Sequence, residues 1–147
     1  MRFDHQEFVL QLTSDWQQRA TNDSEQFVFE SPAKQTTLTV SVVAAGVPKP
    51  RLLEVARHFL GMREQAERID RTRKITFGDK HVELKPFGDV AEIAYAGYDD
   101  RGRIFRFFGF VTEAKVLSFY CETVTTDNEF SKQTFDEAFK SFKFFVP

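Results

Sequence analysis

The feature that most constrains this sequence is a run of three strand-like segments in its second half. Segments 92–98, 103–111 and 116–125 are rich in aromatic and β-branched residues, and only short polar stretches separate them. Connections this short join antiparallel neighbours, because a parallel pairing needs a long crossover. The chain is therefore predicted to contain an antiparallel meander.

Further strands are predicted on both sides of this meander. Apolar and polar residues alternate over 7–12, 26–31 and 35–45, as they do in strands with one buried face. Segments 74–77 and 81–87 are predicted to be two short strands around the turn Gly78-Asp79-Lys80. At the C-terminus, Phe144 and Val146 favour a final edge strand.

Two helices are predicted between and after these strands. Pro48 and Pro50 precede segment 51–71, whose apolar side chains recur at helical spacing as far as Ile69. Near the C-terminus, Thr134 and Glu137 have the spacing of a capping box and predict that a short helix begins there. Its apolar stripe consists of Phe135, Ala138, Phe139 and Phe142.

The order of these elements indicates the fold class. Strands come first, then a helix, the meander and a second helix, which favours an α+β fold over an alternating parallel one. We expect an antiparallel β-sheet of about six to seven strands, with one long central helix and one short C-terminal helix packed on it. The 147 residues match one domain, covering 1–147.

Charge and composition exclude several functional classes. The net charge is -2, from 20 basic and 22 acidic side chains, so nucleic acid is not an expected partner. No segment is apolar over the length of a membrane-spanning helix, and the charged first residues do not suit a signal peptide. We therefore expect a cytoplasmic protein without membrane insertion. Cys121 is the only cysteine and is expected to be a buried, unreactive thiol.

No motif for catalysis or cofactor binding is visible. His5, His58 and His81 lack metal-ligand spacing, and the scattered glycines form no phosphate-binding loop. The adjacent Asp99 and Asp100 are expected to stabilise a turn. The sequence thus predicts no enzyme, no cofactor and no metal. A cleft that gathered His81, Asp79 and Glu83 would revive the enzyme hypothesis.

Two stretches are candidate partner-binding surfaces. Arg68, Arg71 and Arg73 lie where the long helix should end; they either complement the helix dipole or bind an acidic partner. The second surface belongs to the meander, where Arg106 would border Phe108 and Phe110. These rings either form an exposed apolar trough or are covered by the second helix or a folded-over strand.

The arrangement resembles the PsbP-like superfamily, which includes Mog-like and bacterial DcrB-like proteins. The resemblance rests on the opening strand that ends at Asp15-Trp16, the strand over 36–45, the helix begun by prolines, the meander and the ending over 135–144. It covers nearly the whole chain. It implies a binding or accessory protein, and its bacterial branch includes Eag-type chaperones, which shelter apolar segments of type VI secretion effectors.

We therefore expect a non-catalytic, protein-binding accessory module, such as a chaperone or adaptor for a secreted effector. A binder of a small apolar ligand and a toxin immunity protein are the alternatives. The partner is expected to be another protein. The edge Phe144-Phe145-Val146 could also pair with a second copy of the chain and give a homodimer.

Overall fold

The structure, a computed structural model, describes residues 1–145, so Val146 of the predicted edge strand lies outside them. Ten strands and two helices follow one another in an α+β order. The strands are β1 (Arg2–Asp4), β2 (Phe8–Gln11), β3 (Gln17–Arg19), β4 (Gln26–Ser31), β5 (Thr36–Ala44), β6 (Ile75–Leu84), β7 (Ala91–Asp99), β8 (Arg103–Val111), β9 (Lys115–Val124) and β10 (Lys143–Phe144). Helix α1 (Leu52–Glu67) follows a 3₁₀ turn (Lys49–Arg51), and α2 (Asn128–Lys140) precedes β10. Neither helix is long and apolar enough to cross a membrane within the described residues.

Seven strands form one antiparallel sheet in the order β3-β4-β5-β9-β8-β7-β6. The predicted meander β7-β8-β9 is confirmed, with Tyr95 opposite Phe107 and Phe107 opposite Tyr120. Strand β5 joins the meander through β9. The predicted α+β class, with its antiparallel sheet and two helices, is therefore correct.

Helix α1 covers one face of the sheet, over β6, β7 and β8. Its buried Leu52 and Ala56 pack with side chains from these strands, including Ile93, Phe105 and Phe107. Alternation places every second residue of β7 on this face, which explains why Ala91, Ile93 and Tyr95 are all buried. This set forms the first of two hydrophobic clusters.

The opposite face is covered by α2 and by a small sheet of order β1-β2-β10. These elements lie over β4, β5, β9 and part of β8, and they enclose the second cluster, which includes Phe8, Phe29, Val40 and Phe119. Cys121 belongs to this cluster, where burial raises the pKa of its thiol to about 12. The expectation of a buried cysteine is thus confirmed.

Three local predictions were wrong. Residues 74–87 do not form two strands around a turn, since β6 is continuous and carries a bulge between Phe77 and Lys80. Helix α1 ends at Glu67, which leaves Ile69 84% exposed. Helix α2 begins before Thr134, because the side chain of Asp127 caps it by accepting a bond from the backbone N–H of Phe130. The first prediction failed because pairing with β7 outweighed a local turn, and the third because Asp127 supplies an earlier cap.

Candidate binding groove beside strand β7

The helices and the small sheet leave part of the large sheet uncovered. Helix α2 and the small sheet lie over β4, β5, β9 and part of β8, so the same face is open over β6, β7 and the start of β8. A groove of about 820 Å³ lies there, between these strands and the start of α2. We call it the β7 groove; its main lining residues are Thr76, Ala96, Tyr98, Ile104, Arg106 and Lys132.

The floor of the β7 groove is made of small and apolar residues. Ala94 and Ala96 alternate along β7 with buried residues that face α1, and Tyr98 is 54% exposed on the groove side. Gly97 allows its strand to lie close to its neighbours. A Cβ at this position would stand 2.5 Å from Phe105 Cζ and 2.6 Å from the carbonyl oxygen of Thr76. Gly97 thus makes room for Phe105 on the face that α1 covers, while Ala96 and Tyr98 lie on the groove side of β7.

Arg106 on β8 forms the cationic wall of the β7 groove. Its Nε donates to Ser131 Oγ at 3.2 Å, and its Nη2 donates to Asn128 Oδ1 at 2.6 Å. Ser131 is buried, so the guanidinium is held at the start of α2 by a fixed partner. Arg106 was predicted to border a trough of Phe108 and Phe110; it lies instead beside β7, and its binding role stays a prediction.

Asp99 stabilises the end of the groove where β7 turns into β8. Its carboxylate accepts backbone N–H groups of Arg101 and Arg103 and is paired with Arg73 Nη1 at 2.6 Å. Burial favours the neutral acid, but these hydrogen bonds outweigh it and lower the pKa of Asp99 to about 2. Asp99 thus stabilises the turn, as expected, whereas Asp100 accepts the backbone N–H of Lys74, just before β6, and not one of the turn.

Phe108 and Phe110 do not form an exposed trough. The Phe108 ring lies 5.0 Å from that of Phe139 on α2, and the Phe110 ring stacks at 3.9 Å on that of Phe144 on β10. Phe110 is only 8% exposed. Of the two alternatives, the covering of these rings by the second helix and a folded-over strand is the correct one.

The predicted basic cluster does not assemble into one surface. Arg73 is used in ion pairs with Asp99 and Asp70, and the Arg68 guanidinium lies 4.8 Å from the ring of Phe77. Arg71 is exposed to solvent. Only a part of the predicted cationic site is thus presented to a partner, and its binding role stays a prediction.

One group of side chains within residues 1–145 has ligand atoms close enough together to hold a metal ion. It comprises His81, Glu83 and Glu92, on β6 and β7. His81 Nε2 lies 3.2 Å from a Glu83 oxygen, and the ammonium of Lys85 already pairs with Glu92 at 2.5 Å. His81, Asp79 and Glu83 are all exposed on an edge strand, so they do not form the cleft that an enzyme of this type would need.

Sequence reasoning missed a buried polar cluster at the end of α1. The Tyr120 hydroxyl donates to Glu67 at 2.6 and 2.7 Å, and the Tyr95 hydroxyl donates to the same carboxylate at 3.0 Å. Burial raises the pKa of both tyrosines, so their hydroxyls stay protonated donors. Arg103 adds an ion pair with Glu67 at 3.5 Å. Glu67 is a charged residue on the apolar side of α1, and this mismatch was the sequence signal that indicated a buried polar cluster.

No protein-family model and no curated protein sequence matches the chain. Among solved structures, the chain is similar to the cyanobacterial PsbP protein CyanoP from Synechocystis sp. PCC 6803, with 14% identity, 99% of this chain and 92% of that chain covered, and a TM-score of 0.68. A protein from Bacteroides thetaiotaomicron shares 12% identity over 94% of this chain and 45% of that chain, with a TM-score of 0.44, and supports no conclusion. The likeness to CyanoP spans both sheets and both helices, and the chain therefore has the PsbP-like α+β fold.

Proposed function

We propose that this protein is a non-catalytic accessory module that binds another protein through the β7 groove. The proposal rests on the uncovered part of one sheet face, where Tyr98 is 54% exposed beside the small residues of β7. Soluble domains rarely leave a contiguous apolar surface open unless something binds there. The role of a cytoplasmic chaperone or adaptor for a secreted effector is the specific form of this proposal.

A site-specific crosslinking experiment tests the proposal. Tyr98 is replaced by benzoylphenylalanine, whose ketone forms a covalent bond with a neighbouring C–H group under ultraviolet light, and the variant is expressed in the source organism. We expect a discrete protein adduct that mass spectrometry identifies. The matched control places the same residue at Arg57, which is exposed on α1 across the sheet, and should give no adduct. Equal adducts at both positions, or none at Tyr98, would contradict the proposal.

A small apolar ligand is the second candidate function, and the volume of the groove favours it. A groove of about 820 Å³ falls within the usual range of small-molecule sites. The same experiment separates the two functions, since a small ligand would increase the intact mass by much less than a protein does. A toxin immunity role would be recognised by the identity of the crosslinked partner.

A further inference from the structure

We infer that the partner segment in the β7 groove carries a carboxylate next to apolar side chains, and that Arg106 recognises this carboxylate. The inference rests on the proposed function, because it specifies the partner of the same groove. It follows from the charges that line the groove and from how they are neutralised. The residues that line it include three basic ones and one acidic one, namely Arg103, Arg106, Lys132 and Asp99. The side chains of Arg103 and Asp99 turn to the other face of the sheet, where Arg103 pairs with Glu67 of α1.

Arg103 and Arg106 lie on the same strand but differ in their partners. Arg103 is neutralised by Asp99 at 3.1 Å and by Glu122 at 2.8 Å. Arg106 takes part in no ion pair within residues 1–145, and its bonds go to the neutral groups of Ser131 and Asn128. The positive charge of Arg106 is therefore uncompensated, and its Nη1 has no acceptor in this part of the chain.

The Arg106 side chain is already held in place before a partner binds. Ser131 and Asn128 hold two of its nitrogens, so the side chain loses little conformational freedom when an acceptor arrives. A carboxylate can accept from a guanidinium in a directed, charge-assisted bond, which is stronger than a bond between neutral groups. The adjacent floor of Ala96, Tyr98 and Ile104 would contact apolar side chains next to that carboxylate.

Lys132 supplies a second, weaker positive charge. Its ammonium pairs with Asp136 at 2.7 Å, and both side chains are more than half exposed. An exposed pair of this kind contributes little stability, so Lys132 can turn toward an incoming anion at little cost. The one acidic residue of the lining, Asp99, has a fully buried side chain that pairs with Arg73 and Arg103. The groove therefore complements an acidic peptide segment.

Peptide selection with matched variants tests this inference. Random peptides displayed on phage are selected on the wild-type protein, and the recovered sequences should be enriched in Asp or Glu beside apolar residues. A selected peptide is then synthesised with a fluorescent label, together with an analogue in which the acid is replaced by its amide. Binding of both peptides is measured by fluorescence anisotropy for the wild type, Arg106→Gln, Lys132→Gln and Arg57→Gln.

We expect Arg106→Gln to weaken binding of the acidic peptide on the order of 10-fold, because a charge-assisted contact is lost. On the wild type, the amide analogue should bind about as weakly as the acidic peptide binds Arg106→Gln. Arg106→Gln should not weaken binding of the amide analogue further, as a coupled pair requires. Arg57→Gln is the matched control, since Arg57 is an exposed arginine on α1, across the sheet from the groove. Lys132→Gln should give a smaller loss that disappears at high salt.

Other outcomes would overturn the inference. Acid-free peptides that bind the wild type and Arg106→Gln equally would refute the carboxylate, yet Tyr98 crosslinking would still support the groove as a protein-binding site. If Arg106→Gln left the affinity of acidic peptides unchanged, Arg106 would not be the residue that recognises the carboxylate. Absence of any selected peptide together with absence of a Tyr98 adduct would refute the proposed function as well. Thermal unfolding of Arg106→Gln and Lys132→Gln checks that each variant is folded.

Discussion

At the residue scale, buried charges are tolerated where each is matched by several partners. Asp99 has a fully buried side chain, but two backbone N–H groups and two guanidinium groups surround it. Lys115 is likewise buried and pairs with Glu7 and with the carbonyl of Phe145. Such a charge becomes costly when one partner is removed, because the remaining charge stays buried and unpaired.

Replacement of Asp99 by Asn should lower the free energy of unfolding at pH 7 by about 3 kcal/mol, since Arg73 and Arg103 lose their buried partner. The pKa of Asp99 is depressed to about 2 in the folded state. Its stabilising effect is therefore complete above the unfolded pKa of about 4 and lost as the pH falls toward 2. Urea unfolding of both proteins at a series of pH values measures this.

Asp100→Asn is the control for that experiment, because Asp100 is exposed and, within residues 1–145, its side chain accepts only the backbone N–H of Lys74. We expect it to change stability by less than about 1 kcal/mol. If the free energies of unfolding of the wild type and Asp99→Asn differed by the same amount at pH 7 and pH 2.5, the Asp99 carboxylate would not be the origin of the lost stability.

At the scale of elements, the start of α2 shows how one cap determines where a helix begins. Thr134 and Glu137 have the right spacing for a capping box, yet Thr134 is buried in the middle of the helix. Asp127 is the residue whose side chain bonds to the free N–H of Phe130, at 3.1 Å. The position of α2 also matters for the groove, because Asn128 and Ser131 in its first turns hold Arg106.

Replacing Asp127 by Ala should destabilise the protein by about 1 kcal/mol, the usual cost of losing an N-cap. Glu137→Ala should change stability by less than about 0.5 kcal/mol, because Glu137 is exposed on the side of the helix. Chemical denaturation of the two variants compares them directly. A larger loss for Glu137→Ala than for Asp127→Ala would restore the capping box at Thr134.

At the scale of the whole molecule, two hydrophobic clusters lie on opposite faces of one sheet. Leu52 belongs to the cluster under α1, and Trp16 belongs to the cluster under α2 and the small sheet. Strand β9 contributes side chains to both clusters, since Phe119 belongs to the cluster under α2 and Tyr120 packs against the cluster under α1. The two clusters should therefore unfold together.

Leu52→Ala should lower the free energy of unfolding by about 3 kcal/mol, since it creates a cavity at a fully buried site. Trp16 is the only tryptophan, so its fluorescence reports on the other cluster. We expect fluorescence and circular dichroism to show the same lowered midpoint. Met62→Ala is the control, because Met62 is 54% exposed. If Leu52→Ala left the midpoint of the Trp16 fluorescence transition unchanged, the two clusters would unfold as independent units.

Several elements could be predicted because their pattern is local and strong. Leu38 and Val40 alternate with Thr37 and Thr39 along β5, and they are buried as that alternation requires. Residues 107–110 of β8 are apolar on both sides, as in a strand covered on both faces, and they are covered by α1 on one face and by α2 and β10 on the other. Strand β1 was missed, because three residues carry too little pattern and pair only through tertiary context.

The sequence by itself determined the class of fold, since periodic apolar residues and short turns restrict the meander to an antiparallel arrangement. Only the tertiary structure decided that Gly78 and Asp79 form a bulge, because eight pairings with β7 outweigh a local turn there. It also decided which half of the sheet stays open and placed Tyr98 and Arg106 in one groove. A local pattern shows that a side chain is apolar or charged, but which elements cover it depends on residues far away in the chain.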